Sequence, residues 1–167
     1  MTDEIVTYLS MTDPSALVWP RVVPAFDFHR VQPADPDRLR GFYHDVGAAY
    51  QWRDRLGWSA ADWAARARRP GVSLWVAETD RSVGFCELAQ DQASGVEIAY
   101  FGLLPAFVGH GYGGAVLAAG VAAAWQLPGT QRVWLHTCNF DHPNALANYR
   151  ARGFGVDRVV TDPSDQS

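Results

Sequence analysis

The sequence predicts a mixed α/β fold organised around one central sheet. Three observations point there. Strand-like runs with alternating apolar residues are interleaved with stretches of helical periodicity. Three consecutive strand-like runs, near Val72–Glu78, Val83–Gln90 and Val96–Leu104, are joined only by Asp80-Arg81 and by Gln92 to Gly95, so these strands are expected to be antiparallel. The last of them feeds a glycine-rich turn and then an alanine-rich run that meets no breaker before Gln126, a strand–turn–helix unit.

From the N-terminus, Ile5 to Leu9 and Ala25 to Val31 read as extended, with Pro14, Pro20 and Pro24 marking irregular connections between them. Asp35-Pro36 opens a helix through about Gly47, since Asp is a good N-cap and Pro suits the first turn. Ser59, with Asp62 three residues on, starts a second helix that runs to about Arg69 before Pro70-Gly71. After the three sheet strands comes a helix over Tyr112 to Gln126, then a strand over Arg132 to Cys138. A helix over Pro143 to Arg152 and a last strand over Phe154 to Val160 complete the pattern. One domain is expected over residues 1–167: an N-terminal extension over 1–24 with an extra strand, a core over 25–160, and a loose tail over 161–167.

Composition narrows the function. The chain has 167 residues and a net charge of −4 with no Lys/Arg run, which disfavours a nucleic-acid surface. No stretch approaches the ~20 apolar residues of a membrane span, and Met1-Thr2-Asp3-Glu4 does not read as a signal peptide. Cys86 and Cys138 are the only cysteines, so a cytoplasmic protein without a disulfide framework is expected. A homodimer is compatible with the sequence.

The chemistry concentrates in Pro105 to Leu117, Pro-Ala-Phe-Val-Gly-His-Gly-Tyr-Gly-Gly-Ala-Val-Leu. Glycines at 109, 111 and 113 let successive backbone N–H groups turn toward one point, and the helix behind them adds its unpaired N–H groups and dipole. This is an anion cradle that needs no basic side chain. A P-loop is excluded, because Gly114-Ala115 stand where it needs Lys-Ser/Thr. A dinucleotide fingerprint is poorly anchored, because the first acidic residue beyond Gly114 is Asp141. A tight structural turn is the alternative to phosphate binding.

The order of elements, with this turn after the fourth main strand, resembles the GNAT superfamily of acyl-CoA-dependent N-acyltransferases. The family's Arg/Gln-x-x-Gly-x-Gly/Ala pattern maps onto Val108, Gly111 and Gly113, and Ala145-x-x-x-Tyr149-x-x-x-Gly153-Phe154 resembles its closing signature. Val108 departs from the family's Arg or Gln, and His142 from an Asn that often precedes the second helix of the pair; Asn144 or Asn139 can take over its contacts. The resemblance implies acetyl-CoA as donor. Its phosphates would be held by the turn from Val108 through Gly109, His110, Gly111, Tyr112 and Gly113 to Gly114, with Phe101, Leu103, Asn139 and Asn144 also contributing. It further implies a small-molecule primary amine as acceptor and no metal. A longer acyl-CoA, an acyl carrier protein or an aminoacyl-tRNA as donor, and a non-catalytic CoA-binding protein, stand as alternatives.

An amine attacking a thioester must lose a proton, the oxyanion needs a donor, and the leaving thiolate needs a proton. Glu97 is the expected base. Alternation places it on the strand face of Ala99 and Phe101, where apolar neighbours would raise its pKa. It also stands fourteen residues before Gly111, as the resembled family's strand glutamate does. Glu87, on the neighbouring strand, is the rival. The resemblance makes Tyr149 the acid, and it implies a bulged fourth strand near Phe101 to Leu103 for the oxyanion, which Gly102 would permit. His136 and Cys138 share a face, as acceptor-pocket residues, packing residues, a thiol nucleophile with its base, or, with Asp141 and His142, a zinc-like set whose spacing matches no common finger. In the resembled family the region of Trp52, Arg53, Asp54, Arg55 and Trp58 shapes the acceptor pocket. Arginines there suit an anionic group and tryptophans a flat amine, and a solvated connection docked by its tryptophans is the alternative.

Overall fold

The computed structural model describes residues 3–161; the tail expected over 161–167 lies outside them but for Thr161. Seven strands form one sheet: β1 (Ile5–Met11), β2 (Asp27–Val31), β3 (Val72–Glu78), β4 (Ser82–Asp91), β5 (Gly95–Leu103), β6 (Val133–Cys138) and β7 (Gly155–Thr161). Four α-helices flank it: α1 (Pro36–Gly47), α2 (Ala60–Arg68), α3 (Tyr112–Gln126) and α4 (Ala145–Ala151). The helix starts follow the sequence signals. Asp35 caps α1, its side chain accepting from Asp37 N, with Pro at the first turn. Ser59 and Asp62 form both bonds of a capping box at α2.

The spatial order is β2-β3-β4-β5-β6-β1-β7, and every neighbouring pair is antiparallel except β5 with β6. The N-terminal strand is therefore an interior one, bonded to β6 on one side and β7 on the other. Its burial pattern agrees, with Val6, Leu9 and Met11 at most 7% exposed.

The helices make two layers. On one face α1 and α2 pack Leu39, Phe42, Tyr43, Val46 and Trp63 against Leu74, Val76 and Phe85 of the sheet. On the other, Leu117, Val121 and Ala124 of α3 and Tyr149 of α4 pack with Leu9, Cys86, Leu88, Ile98, Val133 and Leu135. Eight residues of α3 are buried, so its apolar composition reflects a helix sunk into the core.

One irregularity sets up the site. Glu87 of β4 faces Tyr100 of β5 and Leu88 faces Ile98, so Ala99 is an extra residue without a partner, a β-bulge. The bulge inverts the alternation beyond it. Val96, Ile98 and Phe101 belong with the α3 layer, whereas Tyr100 belongs with the α1 layer. The expected common face for Glu97 and Phe101 is thus corrected: Glu97 looks the same way as Tyr100, and Phe101 the other way. Gly102 is not the bulge residue. It lets α1 come close, because a Cβ there would collide with Val46 Cγ1.

Candidate active site

The bulge bends β5 away from β6. Pairing between the two is confined to Val96 with Val133 and Glu97 with Trp134. Further along, Ile98 to Leu103 and Leu135 to Cys138 diverge, and a cleft of about 1110 Å³ opens between them. In that stretch the backbone edge of β5 that would have faced β6 has no strand across from it, so its polar groups are available to a ligand.

One end of the cleft is made of backbone. Val108, Gly109, Gly111, Gly113 and Gly114 line it. Gly109 and Gly111 have φ of 82° and 86°, the left-handed region, and nothing lies within 4 Å of where their Cβ atoms would be. Their role is conformational, not steric. Gly113 and Gly114 are inside α3 and do a different job. Asn148 Nδ2 lies 3.8 Å from the Cβ site of Gly113, and a Cβ on Gly114 would collide with Arg152 Nη1. The first turn of α3 has no side-chain cap, so its N–H groups stay available at the cleft mouth. Arg152 brings a guanidinium to this turn whose Nε is buried without a partner among the described residues. Desolvation lowers the Arg152 pKa from its ordinary value.

The other end is made of side chains. Tyr50, Trp52, Arg53, Asp54, Arg55, Trp58 and Arg66 line it together with Tyr100. The Trp52 ring lies 4.8 Å from Tyr100 and 5.6 Å from Tyr43, and its Nε1 donates to Asp141 Oδ1 at 3.3 Å. Asp141 also accepts from Thr137 Oγ1 and from the Cys138 backbone N at 3.0 Å, which fixes the turn after β6. Glu97, His136 and Tyr149 also line the cleft. Glu97 has a side chain 24% exposed, with Oε2 3.9 Å from His136 Nε2. Tyr149 is buried with its ring 6.4 Å from Phe101; burial first, and Asp141 second, push its phenol well above the usual range.

Residues 36–154 match the family model of the acetyltransferase (GNAT) family. The chain belongs to the GNAT acetyltransferase family. Among solved structures, it is similar to a GCN5-related N-acetyltransferase from Sphaerobacter thermophilus at 20% identity and TM-score 0.66, covering 96% of this chain and 51% of that one. It is likewise similar to a GCN5-related N-acetyltransferase from Kribbella flavida at 19% identity and TM-score 0.64, covering 98% and 59%. A third likeness is to AAC(6')-Iy, solved with the bisubstrate analogue CoA-S-monomethyl-acetylneamine, at 18% identity and TM-score 0.63, covering 82% and 96%. The chain thus spans only half to three-fifths of the first two. No curated protein sequence matches it.

In this GNAT-family chain the cleft walls include Glu97, Tyr149, Phe101, Leu103, Val108, Gly109, Gly111, Gly113, Gly114, Asn144, Trp52, Arg53 and His136 from among the residues singled out in sequence. Four others have their side chains elsewhere. Glu87 is buried behind the wall, its carboxylate accepting from Arg55 and Arg66. Asn139 is tied to the N-terminal strand, accepting from Ile5 N and donating to Asp3 O. Tyr112 turns its ring to Phe107 at 5.3 Å and Phe26 at 6.3 Å, leaving only its backbone to the helix start. His110 is an exposed turn residue outside the cleft wall. His142 holds the entry to α4, its Nδ1 accepting from Asn144 N at 3.0 Å.

Sequence reasoning missed Tyr100, Arg66, Asp141 and Arg152. Tyr100 is hidden in sequence by the bulge, and nothing local sets Arg66 apart from Arg68 and Arg69. Arg152 did carry a signal: it is the charged residue just before Gly153-Phe154, at the end of a helix about to bury its neighbours.

Proposed function

We propose that this protein is an N-acetyltransferase that moves an acetyl group from acetyl-CoA to a primary amine of a small molecule, by direct attack with both substrates bound. The observation that carries this reading is the opening between β5 and β6, with an uncapped helix start at its mouth. A slot between two strands suits an extended, thin donor arm, and the turn suits its phosphates. The residues fit that donor. The glycines keep the mouth clear of side chains, and Arg152 supplies the cationic group that Val108 cannot. Acetyl-CoA bound there supplies the acetyl thioester.

The acceptor arrives as an ammonium, with an ordinary pKa of about 10.4 for a lysine-like amine. Glu97 takes its proton, directly or through one water, from the cleft wall beside His136. The new N–C bond forms as the thioester C–S bond breaks. Tyr149 delivers a proton to the sulfur, and the second amine proton returns to the phenol through solvent. Burial, and then Asp141, raise the Tyr149 phenol above its ordinary range, so it is protonated in the neutral range before the thiolate forms. Burial, and then Asp141, raise the Cys138 thiol above its ordinary range, which disfavours the thiolate that a covalent route would need.

The test is calorimetric titration with acetyl-CoA, followed by thiol release across a panel of primary amines. Micromolar donor binding and amine-dependent thiol release are expected. A folded protein that binds no acetyl-CoA, or releases thiol with no amine, overturns the proposal.

A further inference from the structure

Two arginines in the cleft wall share a single carboxylate. Glu87 reaches from β4 toward α2 and is 1% exposed; Arg55 is 7% and Arg66 13% exposed. Glu87 Oε1 accepts from Arg55 Nη1 at 2.6 Å, and Oε2 accepts from Arg55 Nη2 at 2.8 Å and from Arg66 Nε and Nη2 at 3.0 and 2.8 Å. One negative charge therefore meets two positive ones in a poorly solvated place, which leaves one positive charge over. Arg55 is covered by aromatic rings, with its guanidinium 4.7 Å from the Trp58 ring and 4.5 Å from the Tyr100 ring, and is the less exposed of the two. Arg66 spends only Nε and Nη2 on Glu87, so Nη1 is left for another acceptor. Asp54 makes no ion pair with either arginine among the described residues and instead faces the Tyr100 hydroxyl at 3.5 Å.

The position of Arg66 gives the leftover charge a use. Arg66 and Glu97 both line the main cleft, and both also border an adjoining pocket of about 320 Å³ that includes Arg69, Asp91 and Trp134. The group proposed to receive a proton and the group with spare positive charge thus sit at one corner. A molecule presenting an ammonium to Glu97 can present an anion to Arg66 from the same end. Arg66 offers one guanidinium edge, which matches a singly charged carboxylate better than a doubly charged phosphate.

We infer that the acceptor is an amino carboxylate, an amino acid or a close relative, whose carboxylate is received by Arg66. This rests on the N-acetyltransferase reading. It is tested by thiol release from acetyl-CoA with matched pairs, an aromatic amino acid against its decarboxylated amine, and with an aminoalkyl phosphate for comparison. The acid is expected to exceed its amine partner in kcat/KM by roughly 10- to 100-fold. Arg66→Gln should collapse that ratio toward one, mainly by raising KM for the acid, and Arg66→Lys should restore part of it. Arg66→Gln leaves Arg55 and Glu87 as a one-to-one pair, so the variant keeps its core interaction. Amines used as well as or better than their acids, a preference for the phosphate, or a ratio unmoved in folded Arg66→Gln each overturn this inference while the acetyltransferase reading stands. Thiol release with no amine at all overturns that reading, and this inference with it.

Discussion

The two ends of the cleft are built from different materials. The end proposed for the donor is a run of backbone, Val108 to Gly114, shaped by two left-handed glycines and the start of α3. The end proposed for the acceptor is a mesh of side chains, Arg55, Arg66, Trp52 and Tyr100, held in place by partners distant in sequence such as Glu87 and Asp141. Backbone N–H groups recognise an anion whatever side chains surround them, so a donor common to many proteins can be held by a local motif. Selecting one amine among many requires side chains of defined charge and shape, and these must be gathered from several elements. The donor end should therefore tolerate damage to distant residues, and the acceptor end should not.

The largest expected effect lies where the two ends meet. Glu97→Gln should lower kcat by about 10²- to 10⁴-fold, with the affinity for acetyl-CoA retained. The deficit should be greatest well below the acceptor's own amine pKa and should shrink as pH rises, because a neutral amine needs no first deprotonation. Steady-state rates from pH 6.5 to 9.5 read this directly. An undiminished rate removes Glu97 from the role of base and moves the junction of the two ends elsewhere.

Next comes the anchor of the acceptor end. Glu87→Gln leaves Arg55 and Arg66 facing each other across a neutral amide, and breaking a buried pair from one side costs about 3–5 kcal/mol. Urea melts should show that loss, and acetyl-CoA affinity of the folded fraction should stay near that of the parent chain. If Glu87→Gln is neutral in stability, the arginines find other acceptors and the contrast between the ends weakens.

The same contrast explains what was legible in the sequence. Local signals carried the elements: Asp35-Pro36, the Ser59/Asp62 capping box and the glycine turn mark helix starts that the structure keeps. The seat of β1 between β6 and β7 was not legible, because an alternating apolar strand does not name its neighbours. The bulge at Ala99 was placed too far along β5. Alanine there has no signature, and Gly102 drew attention for a freedom that it uses only to admit Val46. Glu87 was invisible as an anchor for a similar reason: its partners lie 32 and 21 residues away, and nothing local separates a buried carboxylate from a solvated one.

A smaller effect is expected from the guanidinium beside the proposed donor end. Arg152→Gln removes the guanidinium beside Gly114, and acetyl-CoA should bind about tenfold more weakly because charge-assisted bonds to its phosphates are lost. Titration at two salt concentrations sharpens the reading, since the loss should be largest at low salt. A variant that binds as tightly as the parent chain would leave the donor end entirely to backbone. That outcome would strengthen the contrast between the ends while removing Arg152 from the site.

The smallest effect concerns pH and both ends together. Burial is the main cause that raises the phenols of Tyr43, Tyr100 and Tyr149 above their ordinary value of 10.0. Below that value folded and unfolded chains hold these protons alike, so stability from this source is constant through the neutral range. Above it the unfolded chain releases protons that the folded chain retains, and stability falls as pH rises. Thermal melts should therefore be level from pH 7 to 9 and decline past about pH 10, with tyrosinate absorbance appearing together with unfolding. Two of the three rings, Tyr43 and Tyr100, belong to the acceptor end and lie 5.2 Å apart. Tyr100→Phe should accordingly soften the alkaline decline, because it removes an ionisation that opposes burial. Tyrosinate absorbance developing in a chain that stays folded would show these rings open to solvent, and the acceptor end would then be looser than its packing implies.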